Sequence, residues 1–201
     1  MRVLLIGASG TIGTRIYDAI SRRHEVRRAG RASGDVNVDI TSADSIRKMY
    51  ETTTNIDAVI CAAGPAKMAP LAELTEDDVY VGIRGKLMGQ VNLVLIGQKY
   101  LNAGGSFTLT TGILADDPIV ASAPLALVNG AVNSFVIAAS QELPNGIRIN
   151  AVCPTVVEDS AEEYGDYFIG FDPAPMQRVV NGYLRSLEGK ITGRVIKIYY
   201  K

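Results

Sequence analysis

An imbalance of charge is what this sequence most plainly lacks: 20 Lys and Arg against 21 Asp and Glu leave a formal net charge of -1, with no Lys/Arg block anywhere. The electrostatic footprint of a nucleic-acid binder is therefore missing, and a small molecule is the expected partner. Cysteine is scarce as well. Cys61 and Cys153 are spaced too widely for a metal knuckle and each ends an apolar run, which fits free core thiols in a reducing cytosol. No metal site is expected. Histidine occurs once, as His24, at a turn expected to be exposed and far from any crevice. The N-terminal "MRVLLIGASG" has too short an apolar run before Gly7 for a signal peptide, so a cytoplasmic location is expected.

Residues 118–140, "PIVASAPLALVNGAVNSFVIAAS", contain no Asp, Glu, Lys, Arg or His, although such charged side chains other than His make up 20% of the chain. A run of this length must be tested as a membrane span. Pro118, Pro124, Asn129, Gly130 and Asn133 interrupt it. It reads instead as a buried helix beginning near Pro124, and no membrane partner is expected.

With 201 residues, 47% of them hydrophobic, the chain suits one domain spanning 1–201 with a substantial core. Strand-length apolar runs alternate with amphipathic segments: "RVLLIG", "TIGTRIYDAISRR", "EVRRAG", "DVNVDI", "SADSIRKMYETT", "DAVICAAG". The second half continues with one long helix over about 75–102, "GSFTLTT", a helix over about 124–142, "GIRINAVCP", a helix over about 173–188 and "GRVIKIYY". Such alternation builds a parallel sheet from βαβ units. The expected fold is α/β: a single-domain, Rossmann-type, doubly wound parallel sheet of about seven strands with helices on both faces. Thr41-Ser42 with Asp44, and Thr75 with Asp78, mark helix starts. Segment 155–172 has no clean period and exceeds an ordinary connection, so it is expected to serve function.

"LLIGASGTIGTRI" sets Gly7, Gly10 and Gly13 between the first strand and the first helix, where a parallel sheet presents its ligand crevice. Gly7 permits the tight turn, Gly10 lets backbone approach a pyrophosphate, and Gly13 lets helix pack on strand. Free N–H groups of Ser9, Thr11 and Ile12 join the anion site. At the second strand's end, "VRRAGRAS" carries Arg28, Arg31 and Ser33 and no acid before Asp35. A basic residue here suits a 2'-phosphate, so NADP(H) is preferred over NAD(H). The alternative is a solvated basic turn.

With the glycine loop, "VDI" at 38–40, "CAAG" at 61–64, "GSFTLTT" at 105–111 and "NGIRINAVCP" at 145–154 in this order, the sequence resembles the short-chain dehydrogenase/reductase family over almost its whole length. The resemblance implies that Asp39 and Ile40 lie beside the adenine, that Ala62, Ala63 and Gly64 line the nucleotide, and that Pro154 and Thr155 lead into the nicotinamide region. The glycine spacing looks like that of the extended and atypical branches. The family works with a Tyr-x-x-x-Lys pair on one helix, a Ser at the preceding strand's end and an Asn in the long helix. Matching "VNGAV" to its motif puts Leu125 at the Tyr position and Asn129 at the Lys position. Gly82 falls at the Asn position, and Thr111 or, with a one-residue shift, Gly112 at the Ser position.

Asn129 can still reach a ribose hydroxyl and Thr111 can still hydrogen-bond a carbonyl, but neither supplies a proton as a Lys-activated Tyr does. Thr111 and Tyr164 are the candidate catalytic residues, with Glu158, Asp159 and Tyr167 as further proton sources on the 155–172 loop. The expected function is an NADP(H)-dependent oxidoreductase acting on a small carbonyl or conjugated acceptor through a non-standard site. The alternative is a non-catalytic NADP(H)-binding redox sensor. The resemblance also implies a homodimer or homotetramer packed through the long helix and the helix after "GSFTLTT".

Overall fold

The computed structural model describes residues 1–199, so the end of "IYYK" lies outside the described residues. The alternation of apolar runs resolves into β1 (Arg2–Ile6), α1 (Thr11–Ile20), β2 (Glu25–Gly30), β3 (Val36–Asn37), α2 (Ala43–Thr52) and β4 (Ile56–Cys61). There follow α3 (Glu76–Gly82), a π-helical turn (Ile83–Leu87), α4 (Met88–Gly97), β5 (Leu101–Thr110), α5 (Ala123–Ala139) and β6 (Arg148–Pro154). The chain closes with α6 (Ala161–Tyr164), α7 (Met176–Glu188) and β7 (Arg194–Ile198). All strands are parallel in one seven-stranded sheet of order β3-β2-β1-β4-β5-β6-β7.

Alternation along β1 sends its side chains to two cores. Leu4 and Ile6 join Ile46, Tyr50, Leu93, Val94 and Val132, so α2, α4 and α5 cover one face. Val3 and Leu5 join Ile16, Ile20, Val179 and Tyr183, so α1 and α7 cover the other. Such continuous burial of parallel strands is the physical source of their unbroken apolar runs. Helix starts follow the sequence signals: Ser42 accepts from Ser45 N at 3.2 Å, and Thr75 with Asp78 forms a reciprocal capping box.

Three elements differ from expectation. "DVNVDI" pairs as a strand only at Val36–Asn37; just before it, Arg28 of β2 donates to Asp35 at 3.1 Å from Nη2 and at 2.9 Å from its backbone N. The expected single helix over 75–102 carries a π-turn at its centre, Ile83–Leu87. Segment 155–172 folds into α6 between two 3-10 turns, and Val157 bridges to Ala174. His24 is half-buried rather than exposed, with Nε2 2.9 Å from Glu188 Oε1. No helix among the described residues is long and apolar enough to cross a membrane.

Candidate active site

The chain leaves β1 for β2 and β3 on one side and returns to β4 on the other, so the C-terminal ends of β1 and β4 diverge into a crevice. Gly7, with φ of +81°, turns the chain out of β1, and its N–H is held by Ala29 O at 3.1 Å. Gly13 lies so close beneath that an added Cβ would stand 2.0 Å from Gly7 O. Gly10 caps α1, with Gly7 O at 3.5 Å as the nearest atom to an added Cβ. The loop is thus crowded beneath and open above, at the positive end of a helix dipole with no side-chain cap. That arrangement fits a pyrophosphate.

Two cavities meet at Ala63, Gly64 and Pro65. The smaller, about 310 Å³, is bounded by Gly7, Ser9, Arg31, Ser33, Asp39 and Ile40. Arg28 is not among its walls; it pairs with Asp35 and lies over the Tyr17 ring. Asp39 Oδ1 accepts from Thr41 N and Oγ1 at 2.9 and 2.8 Å, which holds its carboxyl below the usual range, with Arg31 adding a weaker pull.

The larger cavity, about 620 Å³, takes Ile12, Ala62, Ala63 and Gly64 from the nucleotide side, and Thr111, Asn129, Pro154, Thr155 and Tyr164 from beyond it. Apolar side chains, among them Met68, Leu114, Leu125, Val156 and Phe168, form much of its wall. Three of its lining residues carry a buried side-chain oxygen without a hydrogen-bond partner: Thr111 Oγ1, Asn129 Oδ1 and Thr155 Oγ1. The Cys153 thiol lies beside the Thr111 hydroxyl, but outside hydrogen-bonding geometry. Orphaned groups of this kind are costly in a folded core. Leu125 and Asn129 do line this cavity one helical turn apart.

Several candidates are engaged elsewhere. Asp159 is paired with Arg15 of α1 at 2.6 Å, and Glu158 Oε1 accepts from Met176 N at 2.8 Å at the start of α7. Tyr167 is exposed and is not a wall of either cavity. Tyr164 stands at the mouth, where its bond to Glu163 raises its pKa. Gly82 packs against Val128 and Ala66; the side chain that the α3–α4 segment brings to the cavity is Lys86, from the π-turn.

Lys86 was not marked by spacing, because a regular helix does not anticipate the turn that carries it. Gly64, at φ +136°, and Gly85 make the close approach possible: added Cβ atoms would meet Lys86 Cα and Pro65 Cγ, each at 2.8 Å. A buried clamp also escaped the sequence. Gln90 donates to Thr110 O at 2.9 Å and accepts from Thr110 N at 2.8 Å, while Thr110 Oγ1 bonds Cys61 O and Tyr183 OH at 2.5 and 2.6 Å. The residue before Thr111 is thereby pinned from three elements.

A family model described as enoyl-(acyl carrier protein) reductase matches residues 10–178. Among solved structures, the protein lin1944 from Listeria innocua is 49% identical, with 99% of this chain and 100% of that chain covered and a TM-score of 0.97. A small-chain dehydrogenase in complex with NADPH is 23% identical over 99% of this chain and 96% of that one, TM-score 0.88. BdcA in complex with NADPH is 18% identical over 98% and 92%, TM-score 0.86. Comparison with curated proteins finds no match.

Proposed function

The chain belongs to the short-chain dehydrogenase/reductase family, and on that premise we propose that it is an NADP(H)-dependent oxidoreductase acting on a small, largely apolar carbonyl or conjugated acceptor. The observation that carries this reading is the junction of the two cavities, with a glycine loop at one end and orphaned Thr111, Asn129 and Thr155 at the other. Gly7, Ser9, Gly10, Thr11 and Ile12 would hold the pyrophosphate, and Gly13 keeps α1 beneath it. Ile40 and Asp39 would flank the adenine, Ala62 to Gly64 the ribose side, and Pro154 with Thr155 the nicotinamide. Asn129 would meet a ribose hydroxyl. When bound, the nicotinamide supplies or accepts a hydride.

Arg31 and Ser33 in the wall of the smaller cavity favour a 2'-phosphate. Thr111 Oγ1 would donate to the acceptor's oxygen, and Tyr164 would close the mouth. A second reading, a sensor that binds NADP(H) without turning over, is favoured by Leu125 and Asn129, where the resemblance implied Tyr and Lys. Titration with NADPH and NADH, followed by absorbance with a panel of quinones, aldehydes and enones, separates the two. NADPH is expected to bind more tightly, and Arg31→Ala to weaken NADPH about tenfold or more with little effect on NADH. Turnover with Thr111→Val should fall. Tight binding without turnover on every acceptor favours the sensor, while failure to bind either nucleotide overturns both readings.

A further inference from the structure

Lys86 lines a cavity that has no carboxylate wall. No Asp or Glu is among the lining residues, and no hydrogen bond or ion pair engages Lys86 among the described residues. The residue is half-buried and forms part of the cleft wall. Its base lies close against Gly64, where an added Cβ would meet Lys86 Cα at 2.8 Å, and the neighbouring Gly85 lies as close to Pro65. An unpaired ammonium costs stability in such surroundings, and methionine would fill the space without that cost. The charge therefore needs an explanation outside the fold.

Thr111 and Asn129 line the same cavity as Lys86, and Thr111 Oγ1 and Asn129 Oδ1 lack partners, so the walls of one space hold an unpaired cation, a hydroxyl and an amide. Resting on the oxidoreductase reading above, we propose that Lys86 is the proton donor of this site, its ammonium bonding the acceptor's carbonyl oxygen together with the Thr111 hydroxyl. The step balances as one carbonyl, one reduced nicotinamide and one proton giving an alcohol and oxidised nicotinamide. As the carbonyl carbon gains the hydride and its electron pair, the C=O π pair moves onto oxygen. That oxygen takes a proton from Lys86 Nζ, and the neutral amine regains one from water.

Tyr164 is less suited, because its bond to Glu163 holds the phenol proton more tightly. Desolvation lowers the Lys86 pKa from its ordinary 10.5, which makes the ammonium a readier acid. The titratable groups that face it are Cys61 from β4 and Cys153 from β6, with Tyr164 across the cavity. Burial pushes Cys61 up to about 11 and Cys153 upward too, so these thiols are neutral near pH 7 and leave Lys86 without a counter-ion.

The test uses the full chain. Competitive acetylation read by mass spectrometry is expected to half-modify Lys86 at a lower pH than exposed Lys48 and Lys190, with NADP⁺ slowing the reaction at Lys86. Lys86→Ala should melt no lower than the parent, hold NADPH within about threefold, and lose turnover by about 100-fold or more. Added methylamine or ethylamine should restore part of that rate, whereas Lys86→Arg should not, because a guanidinium does not release its proton. The parent's reduction rate should fall as pH rises through the Lys86 pKa, and this limb should vanish in Lys86→Ala. Turnover surviving in Lys86→Ala, indifference to amines, or ordinary acetylation of Lys86 overturns the assignment alone. A parent that binds NADPH and reduces no acceptor overturns the enzyme reading and this assignment with it.

Discussion

At the residue scale, Gly13 and Gly10 separate folding from binding. A methyl on Gly13 would meet backbone on two sides, Gly7 O at 2.0 Å and Ala8 Cα at 2.9 Å, and backbone has no rotamer through which to yield. Gly13→Ala is expected to lift α1 from the loop, destabilise the fold by about 2 kcal/mol or more and abolish NADPH binding. Gly10→Ala meets nothing nearer than 3.5 Å, so its melting temperature should hold while its methyl occupies the space offered to the pyrophosphate. Melting curves and NADPH titrations on both variants check the pair. Equal losses of stability would contradict the division. The three glycines were legible from spacing alone because strand, turn and helix constrain each of them. Lys86 was not, since a lysine in a helix reads as a solvated face.

At the scale of elements, the Gln90 clamp does what a strand would do. Beyond the last β4–β5 pairing, Ile60↔Thr108, the backbone of Thr110 is satisfied by the Gln90 amide instead of a neighbouring strand. Gln90→Leu leaves a buried N–H and C=O unpaired and should cost about 1–3 kcal/mol in urea denaturation. Turnover should fall further than stability, because Thr111 is the next residue. Unchanged stability would mean that β5 holds its end without α4. The strand order, both helical layers and the caps at Ser42 and Thr75 were legible because period and end signals agree there. The short β3 was not, and the bonds from Arg28 to Asp35 just before it are tertiary contacts that no local pattern records.

At the scale of the molecule, α4 and α5 carry no charged side chain, yet Met88, Leu95, Leu127 and Ile137 are exposed on them, Ile137 by 53%. Large apolar side chains left exposed on uncharged helices suit an interface. The resemblance implied pairing through these helices, and a homodimer is expected at micromolar concentration. Sedimentation should report a dimer for the parent and a monomer for Ile137→Glu. A monomeric parent would contradict the pairing.

The π-turn at Ile83–Leu87 adds a different kind of consequence, one of counting. A π-turn is a helix holding one residue more than its regular winding needs. Deleting Arg84, whose guanidinium lies over the Tyr80 ring rather than in the cleft, would let that stretch close as ordinary α-helix. Residues beyond the turn would keep their phase with those before it, because the turn already absorbs the extra residue. The wide turn that carries Lys86 would be gone though no cleft residue had been replaced. A gap of one residue here is a change in the turn behind the site, visible to a comparison of lengths and invisible to a comparison of residue types.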